Sequence, residues 1–360
     1  MRCPDHPDEG DWLMAKRTEF AIGGETVAPG TRRTIDLPVS VMSDHTPATM
    51  SAHVIHGRRK GPVVFVSAGV HGDEIIGVEI VRRLLGMPNL DRLRGTLIAV
   101  PIVNAFGFLT HSRYLPDRRD LNRCFPGTQG GSLASRLAKL FMTEIVGRSD
   151  LGIDLHSAAV HRTNLPQVRI SPDNRETLRL ARAFGAPVIL RSQLRDGSLR
   201  GAAKDAGIDV LLYEAGEALR FDEMAVRAGV SGILRVLKDQ SMLPAKGISK
   251  ARRKPLLSIS SRWIRAPQGG LLRSFKSEGD MVSDGETLAI VSDPFGAVDM
   301  PITTECAGLI VGRTVFPNVN EGDALFHVAQ VADPDEAEQT LEHLSSQLED
   351  DPIFDEDEII

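Results

Sequence analysis

The chain has 360 residues, and what it is short of narrows what it can be. Its three cysteines, Cys3, Cys124 and Cys306, lie far apart. They make no paired framework, so a disulfide-stapled domain is not expected and a reducing cytoplasm is the simplest home. No run of about 18 apolar residues is present, so no membrane span is expected. The opening stretch MRCPDHPDEGDW lacks the apolar core of a secretory signal. Residues 333–360 contain no Lys or Arg but twelve Asp and Glu, so the net charge of −6 divides into −12 there and +6 in the rest. That body is too mildly basic, and too unpatterned, to argue for nucleic acid, and it suits small anionic partners.

What is present is ordinary soluble-protein material, 42% apolar and 25% charged. The length suggests two domains. Residues 1–16 are polar and expected to be disordered. Between 17 and 60, alternating segments at 34–41 and 52–55 read as strands. From 62 to about 240 the patterns alternate. Strands are expected at 62–68, 96–102, 151–155, 187–191 and 209–214, and helices at 74–86, 132–147, 174–184 and 222–238. Such alternation predicts an α/β domain with a mixed, largely parallel sheet covered by helices on both faces. The stretch 241–256, with two prolines and many Lys and Arg, reads as a linker.

An internal repeat follows at 257–332. Gly270-Leu271, Glu278-Gly279-Asp280 and Gly285-Glu286-Thr287-Leu288 are echoed by Gly308-Leu309, Asn318-Val319 and Gly322-Asp323-Ala324-Leu325. Two such units predict a small all-β sandwich of two intertwined halves. The repeat resembles the biotinyl/lipoyl-type hammerhead domain. A carrier domain of that kind would show a Lys at the tip, here 292–300, and none is present. The resemblance thus implies the fold and not an attached cofactor. In the acidic tail, Ala337, Leu341, Leu344 and Leu348 fall at helical spacing, whereas the last residues read as disordered.

The chemistry is concentrated where strands end. The apolar run Val63-Val64-Phe65-Val66 breaks at Gly69-Val70-His71-Gly72-Asp73-Glu74, just before a helical pattern. Ligands bind at the carboxyl ends of strands in open α/β sheets, and His-x-x-Glu brings an imidazole and a carboxylate to one ion. Asp154-Leu155-His156 ends a second strand, and Glu214-Ala215-Gly216 ends a third. Arg113 and Asp120-Leu121-Asn122-Arg123 lie between them. His71, Glu74 and His156 supply three ligands and leave one position open, the pattern of a catalytic zinc. Zinc lowers the pKa of a bound water to about 7, and Glu214 is placed to take that proton and pass it to a leaving amine. Arg123 with Asn122 suits a substrate carboxylate, and Arg113 a developing oxyanion. Asp120 reads as support for its loop and Cys124 as packing. Asp154 either orients His156 or makes a plain structural hydrogen bond. His53, His56, His111 and His161 fall outside the motifs and read as loop or surface residues.

His71-Gly72-Asp73-Glu74, Arg113, Asp120-Leu121-Asn122-Arg123, Asp154-Leu155-His156 and Glu214-Ala215-Gly216 together resemble the succinylglutamate desuccinylase/aspartoacylase family, within the zinc carboxypeptidase superfamily. The resemblance implies a three-layer αβα domain with a C-terminal β-domain that narrows access to the site. It implies one Zn²⁺ on His71, Glu74 and His156, Glu214 as general base, and Arg113, Asn122 and Arg123 as substrate contacts. It further implies an amidohydrolase acting on small N-acyl amino acids or related amines. A peptide-trimming carboxypeptidase and a non-catalytic zinc or metabolite-binding protein stay open as alternatives. The acyl group, the amine and whether copies of the chain associate are not fixed by the sequence.

Overall fold

A computed structural model of the chain describes residues 17–172, 174–251 and 254–331. The expected disorder at 1–16 and the features expected in the acidic tail lie outside the described residues. The first part holds β1 (Phe20–Ile22), β2 (Glu25–Val27), β3 (Thr31–Val41), β4 (Pro47–His56), β5 (Arg59–Ala68), α1 (Ile76–Gly86), β6 (Arg94–Val100), α2 (Ala105–Leu109) and α3 (Leu133–Glu144). It continues through β7 (Leu151–His156), β8 (Arg162–Ile170), α4 (Arg175–Phe184), β9 (Val188–Arg191), α5 (Leu199–Asp205), β10 (Asp209–Gly216) and α6 (Glu223–Asp239). The second part holds β11 (Leu256–Arg265), β12 (Gly270–Ser274), β13 (Met281–Val282), β14 (Thr287–Ser292), β15 (Asp299–Thr303), β16 (Gly308–Thr314), β17 (Asn318–Val319) and β18 (Ala324–Val331). No strand or helix occupies 241–255 among the described residues.

The central sheet runs β3-β4-β6-β5-β7-β10-β8-β9. Only β6, β5, β7 and β10 form a continuous parallel block; β4 and β8 pair antiparallel to its two edges, and β3 pairs antiparallel to β4. The sheet is therefore more mixed than the strand-helix alternation suggested. A strand-helix pattern shows where strands lie but not which of them become neighbours or in which direction they run. The parallel strands are buried on both faces, as their unbroken Val, Ile and Leu runs require. One face packs against α1, α4 and α6 through Ile80, Leu84, Leu180, Phe184, Ile233 and Leu237. The other packs against α3 and α5 through Leu137, Phe141 and Leu199. Helix starts follow local chemistry: Ser132, Asn174, Ser198 and Asp222 each accept hydrogen bonds from backbone N–H groups of the first turn.

In the second part each repeat half forms its own antiparallel pair, β12 with β14 and β16 with β18. Each half then lends its short strand to the other. β13 pairs with β16, and β17 pairs with β12. Leu288, Val291 and Ile302 of one sheet meet Ile310, Phe326 and Val328 of the other in a shared apolar core. This part is not tethered by its linker alone. β11 pairs with β9, and β16 pairs with β8. The strands β8, β9, β11, β18 and β16 thus close a ring around Val188, Leu190, Leu309, Val311 and Ala329.

Candidate metal and catalytic site

His71 and Glu74 sit in the short loop between β5 and α1. The helix begins at Ile76, so Glu74 precedes it and is not held in the helical turn. Gly72, between the two, lies against the backbone of α2. A Cβ there would stand 1.9 Å from the carbonyl carbon of Gly107, so only glycine fits. Asp154 and His156 alternate along β7 and share a face of the sheet. Glu214 is the register partner of His156 on the adjacent parallel strand β10. One sheet edge therefore collects His71, Glu74, His156 and Glu214 because three neighbouring strands end there.

The ligand atoms of His71, Glu74 and His156 lie within 4.8 Å of one another, and all three residues are buried. Glu74 accepts from His71 Nδ1 at 2.7 Å and from His156 Nδ1 at 2.6 Å. Behind each imidazole stands a second carboxylate. Asp120 Oδ1 is 3.0 Å from His71 Nε2, and Asp154 Oδ2 is 2.8 Å from His156 Nε2. A carboxylate on the far nitrogen orients a histidine that ligates through the near one. The three donors and their supports thus fit a divalent metal on both Nδ1 atoms and Glu74. Burial alone would lower the pKa of His71, but Glu74 and Asp120 raise it. For His156 burial also opposes, and Asp154 with Glu74 raise the pKa well above the usual range. Burial would raise Glu74, yet the two imidazoles hold its pKa down.

The other expected residues fall around this centre. Arg113 donates to Glu74 Oε1 at 3.1 Å and to Asp120 Oδ2 at 3.0 Å. Asp120 is therefore more than a loop support, since it ties Arg113 to His71. Asn122 Oδ1 accepts from the Leu199 N–H at 2.9 Å and so fastens its loop to α5. Arg123 lines the cavity. Cys124 donates to the Asp120 carbonyl and is half-buried. His56 is no surface residue. It is 2% exposed at the end of β4 and bonded to Thr96 and the Thr18 carbonyl, because a strand end near the sheet margin still lies under the N-terminal segment.

The sequence reading missed several neighbours. Asn164 Nδ2 donates to Glu214 Oε2 at 2.9 Å, and Arg169 Nη1 lies 3.3 Å from Glu214 Oε1. Both come from β8, whose Pro166 hides it as a strand. Arg195 and Arg200 reach the cavity from the stretch around α5, and a cluster of arginines at 191–200 was the one available signal. Trp263 arrives from β11 in the second part of the chain. It stacks on His327 with ring centroids 4.6 Å apart, and Arg162 lies over its indole at 5.7 Å. The cavity measures about 250 Å³ and is lined by six arginines, Arg113, Arg123, Arg162, Arg169, Arg195 and Arg200. Burial, with Arg169 next, lowers the pKa of Arg200 to about 10, so it stays charged at neutral pH. Arg200 Nη1 and Arg169 Nε are buried with no hydrogen-bond partner among the described residues. Buried cationic N–H groups without partners favour an anionic ligand.

The chain is similar to several known proteins. The N-alpha-acetyl-L-2,4-diaminobutyric acid deacetylase of Halomonas elongata is 26% identical over 313 residues, covering 83% of this chain and 91% of that protein. A succinylglutamate desuccinylase/aspartoacylase structure from Rhodobacter sphaeroides superposes with a TM-score of 0.75 at 25% identity, covering 83% of this chain and 96% of that one. The product-bound ectoine utilization protein EutE (DoeB) of Ruegeria pomeroyi gives a TM-score of 0.75 at 22% identity, covering 83% and 94%. The catalytic-domain pattern described as succinylglutamate desuccinylase/aspartoacylase matches residues 60–239. With that match spanning half of the chain, the chain belongs to the succinylglutamate desuccinylase/aspartoacylase family.

Proposed function

We propose that the protein is a zinc-dependent amidohydrolase that removes the acyl group from a small N-acyl amino acid or a related N-acyl amine. The observation that carries this reading is the placement of Glu214 beside His156, at the edge of a buried His71, Glu74 and His156 cluster. The family supports it, as does a relative whose name is that of a deacetylase. Bound zinc would supply a Lewis acid and make water more acidic. The chain's own residues do the rest. Glu214 takes a proton from the attacking water and returns it to the amine nitrogen as the C–N bond breaks. Arg113 stabilises negative charge growing on the acyl oxygen. Arg123 and Arg200 bind a substrate carboxylate, since neither has an ion-pair partner among the described residues. The 250 Å³ cavity, with Trp263 as one wall, admits small molecules and not folded chains. The second part of the chain is read as a hammerhead-like cover without a carrier lysine.

The test is primary-amine release from a panel of N-acetyl, N-succinyl and N-formyl amino acids and diamines with zinc present. Turnover should disappear after chelation. It should fall by ~10²–10⁴ in Glu214→Gln, while that variant keeps its zinc. Silence across the panel, in protein shown to hold one zinc, would overturn the reading.

A further inference from the structure

The C-terminal β-domain does more than narrow the way in. One side of β8 pairs with β10. Its other side is shared, with β9 along 167–170 and β16 along 162–164. Asn164 therefore lies at a junction, paired with Gly216 of β10 and with Gly312 of β16. Its side chain is 6% exposed. Its Nδ2 donates to Glu214, and its Oδ1 faces Gly312. A Cβ on Gly312 would stand 2.5 Å from that oxygen and 3.1 Å from the Thr163 carbonyl. Gly312 is thus glycine for close approach; it follows a register shift in the β16–β18 pairing, and its φ is not left-handed.

The contact is part of a seam. Gln167 Nε2 donates to the Val311 carbonyl at 3.1 Å. Glu278 of the β-domain accepts from Thr163 and from Arg313. The Val315 N–H bonds to the His161 carbonyl at 2.9 Å. Arg169, the second residue touching Glu214, is on the same strand. An amide donor on one carboxylate oxygen and a guanidinium near the other fix the position of Glu214.

We propose that Gly312 and Asn164 are positioning residues for Glu214, with the β-domain strand β16 clamping Asn164 so that its amide holds the base in register beside His156. The proposal rests on the reading of Glu214 as general base. It predicts coupling between two residues of which one, Gly312, does not line the cavity.

The experiment is a double-mutant cycle on the full-length zinc-loaded protein, using Gly312→Ala and Asn164→Ala. Each single variant should lose roughly tenfold in kcat, a part of the ~10²–10⁴ that a general base contributes, with KM and zinc content near native. In the Asn164→Ala background, Gly312→Ala should cost less than about twofold more, because the clamped group is already gone. Equal losses in both backgrounds, or a change confined to KM, would overturn the clamp and leave a merely structural seam. Should Gly312→Ala fail to fold, Asn164→Leu decides, since it keeps a similar size but has no donor for Glu214. A native kcat in that variant overturns the proposal. Glu214→Gln, run alongside, separates the two ideas. If it turns over normally the base assignment has failed; if it is dead while the cycle is additive, only the clamp has failed.

Discussion

Asp154→Asn is the sharpest probe of the proposed metal centre. Asp154 is buried, accepts from His156 Nε2 at 2.8 Å, and takes a second bond from the Ser67 hydroxyl at 2.7 Å. The substitution keeps the volume and removes the charge. The new amide must turn its carbonyl to His156 and its NH₂ to Ser67; the reverse orientation would put the ring proton on Nδ1, the atom needed for the metal. Loss of such a support costs ~10–100-fold in metal affinity, or ~1.4–2.7 kcal/mol. An opposing effect tempers this. Asp154 also helps raise the pKa of His156, so removing it eases the deprotonation that metal binding needs. The penalty should therefore lie near tenfold at pH 7 and grow as rising pH removes the proton competition. Ser67→Ala acts one bond further away and should cost no more than about threefold. The assay is competition for zinc against a chromophoric chelator, with kcat measured at saturating zinc. Native zinc affinity in Asp154→Asn across that pH range would refute the orientation of His156 by Asp154.

Three other outcomes are expected. Loading zinc into chelator-treated protein at pH 7 should release protons, because His71 and His156 have raised pKa values and must give up theirs; calorimetry in two buffers of different ionisation heat measures this, and zero release would count against both ligands. Glu223 is held to a pKa of about 2 by Arg83, with Arg227 adding to it. A depressed carboxylate pKa contributes stability above the unfolded value and loses it as pH falls, here from about 4.5 toward 2. The side chain is 44% exposed, so Glu223→Gln should cost only ~1 kcal/mol at pH 7, and its Tm deficit should shrink by pH 3. Trp12 and Trp263 are the two tryptophans; in Trp12→Phe the remaining emission should change as a carboxylate product fills the cavity, and an unresponsive Trp263 would remove it from the wall.

Much of the site was readable because its chemistry sits at strand ends. His71, Glu74, His156 and Glu214 each follow an apolar run, and runs of Val, Ile and Leu are visible without a structure. The supports of Glu214 were not readable for the opposite reason. β8 carries Pro166 and polar residues at 163, 164, 167 and 169, so neither alternation nor an apolar run marks it. Asn164 and Trp263 reach the site through pairings between residues distant in the chain, and local periodicity does not encode those. The repeat at 257–332 predicted intertwined halves. It gave no sign that β11 and β16 would also join the first sheet, because free strand edges are a property of assembled sheets.

That joining has a consequence for how the molecule is made. Gln167 and Val311 are 144 residues apart in sequence when they bond. Contacts of such span form late, since the entropy of closing so large a loop must be met before they repay it. On a ribosome, the cluster of His71, Glu74 and His156 can gather while β16 is still unsynthesised, but Asn164 then has no neighbour at 312. A nascent chain would gather His71, Glu74 and His156 before Glu214 is secured, so on the proposed reading the full rate would arrive only once β16 is in place.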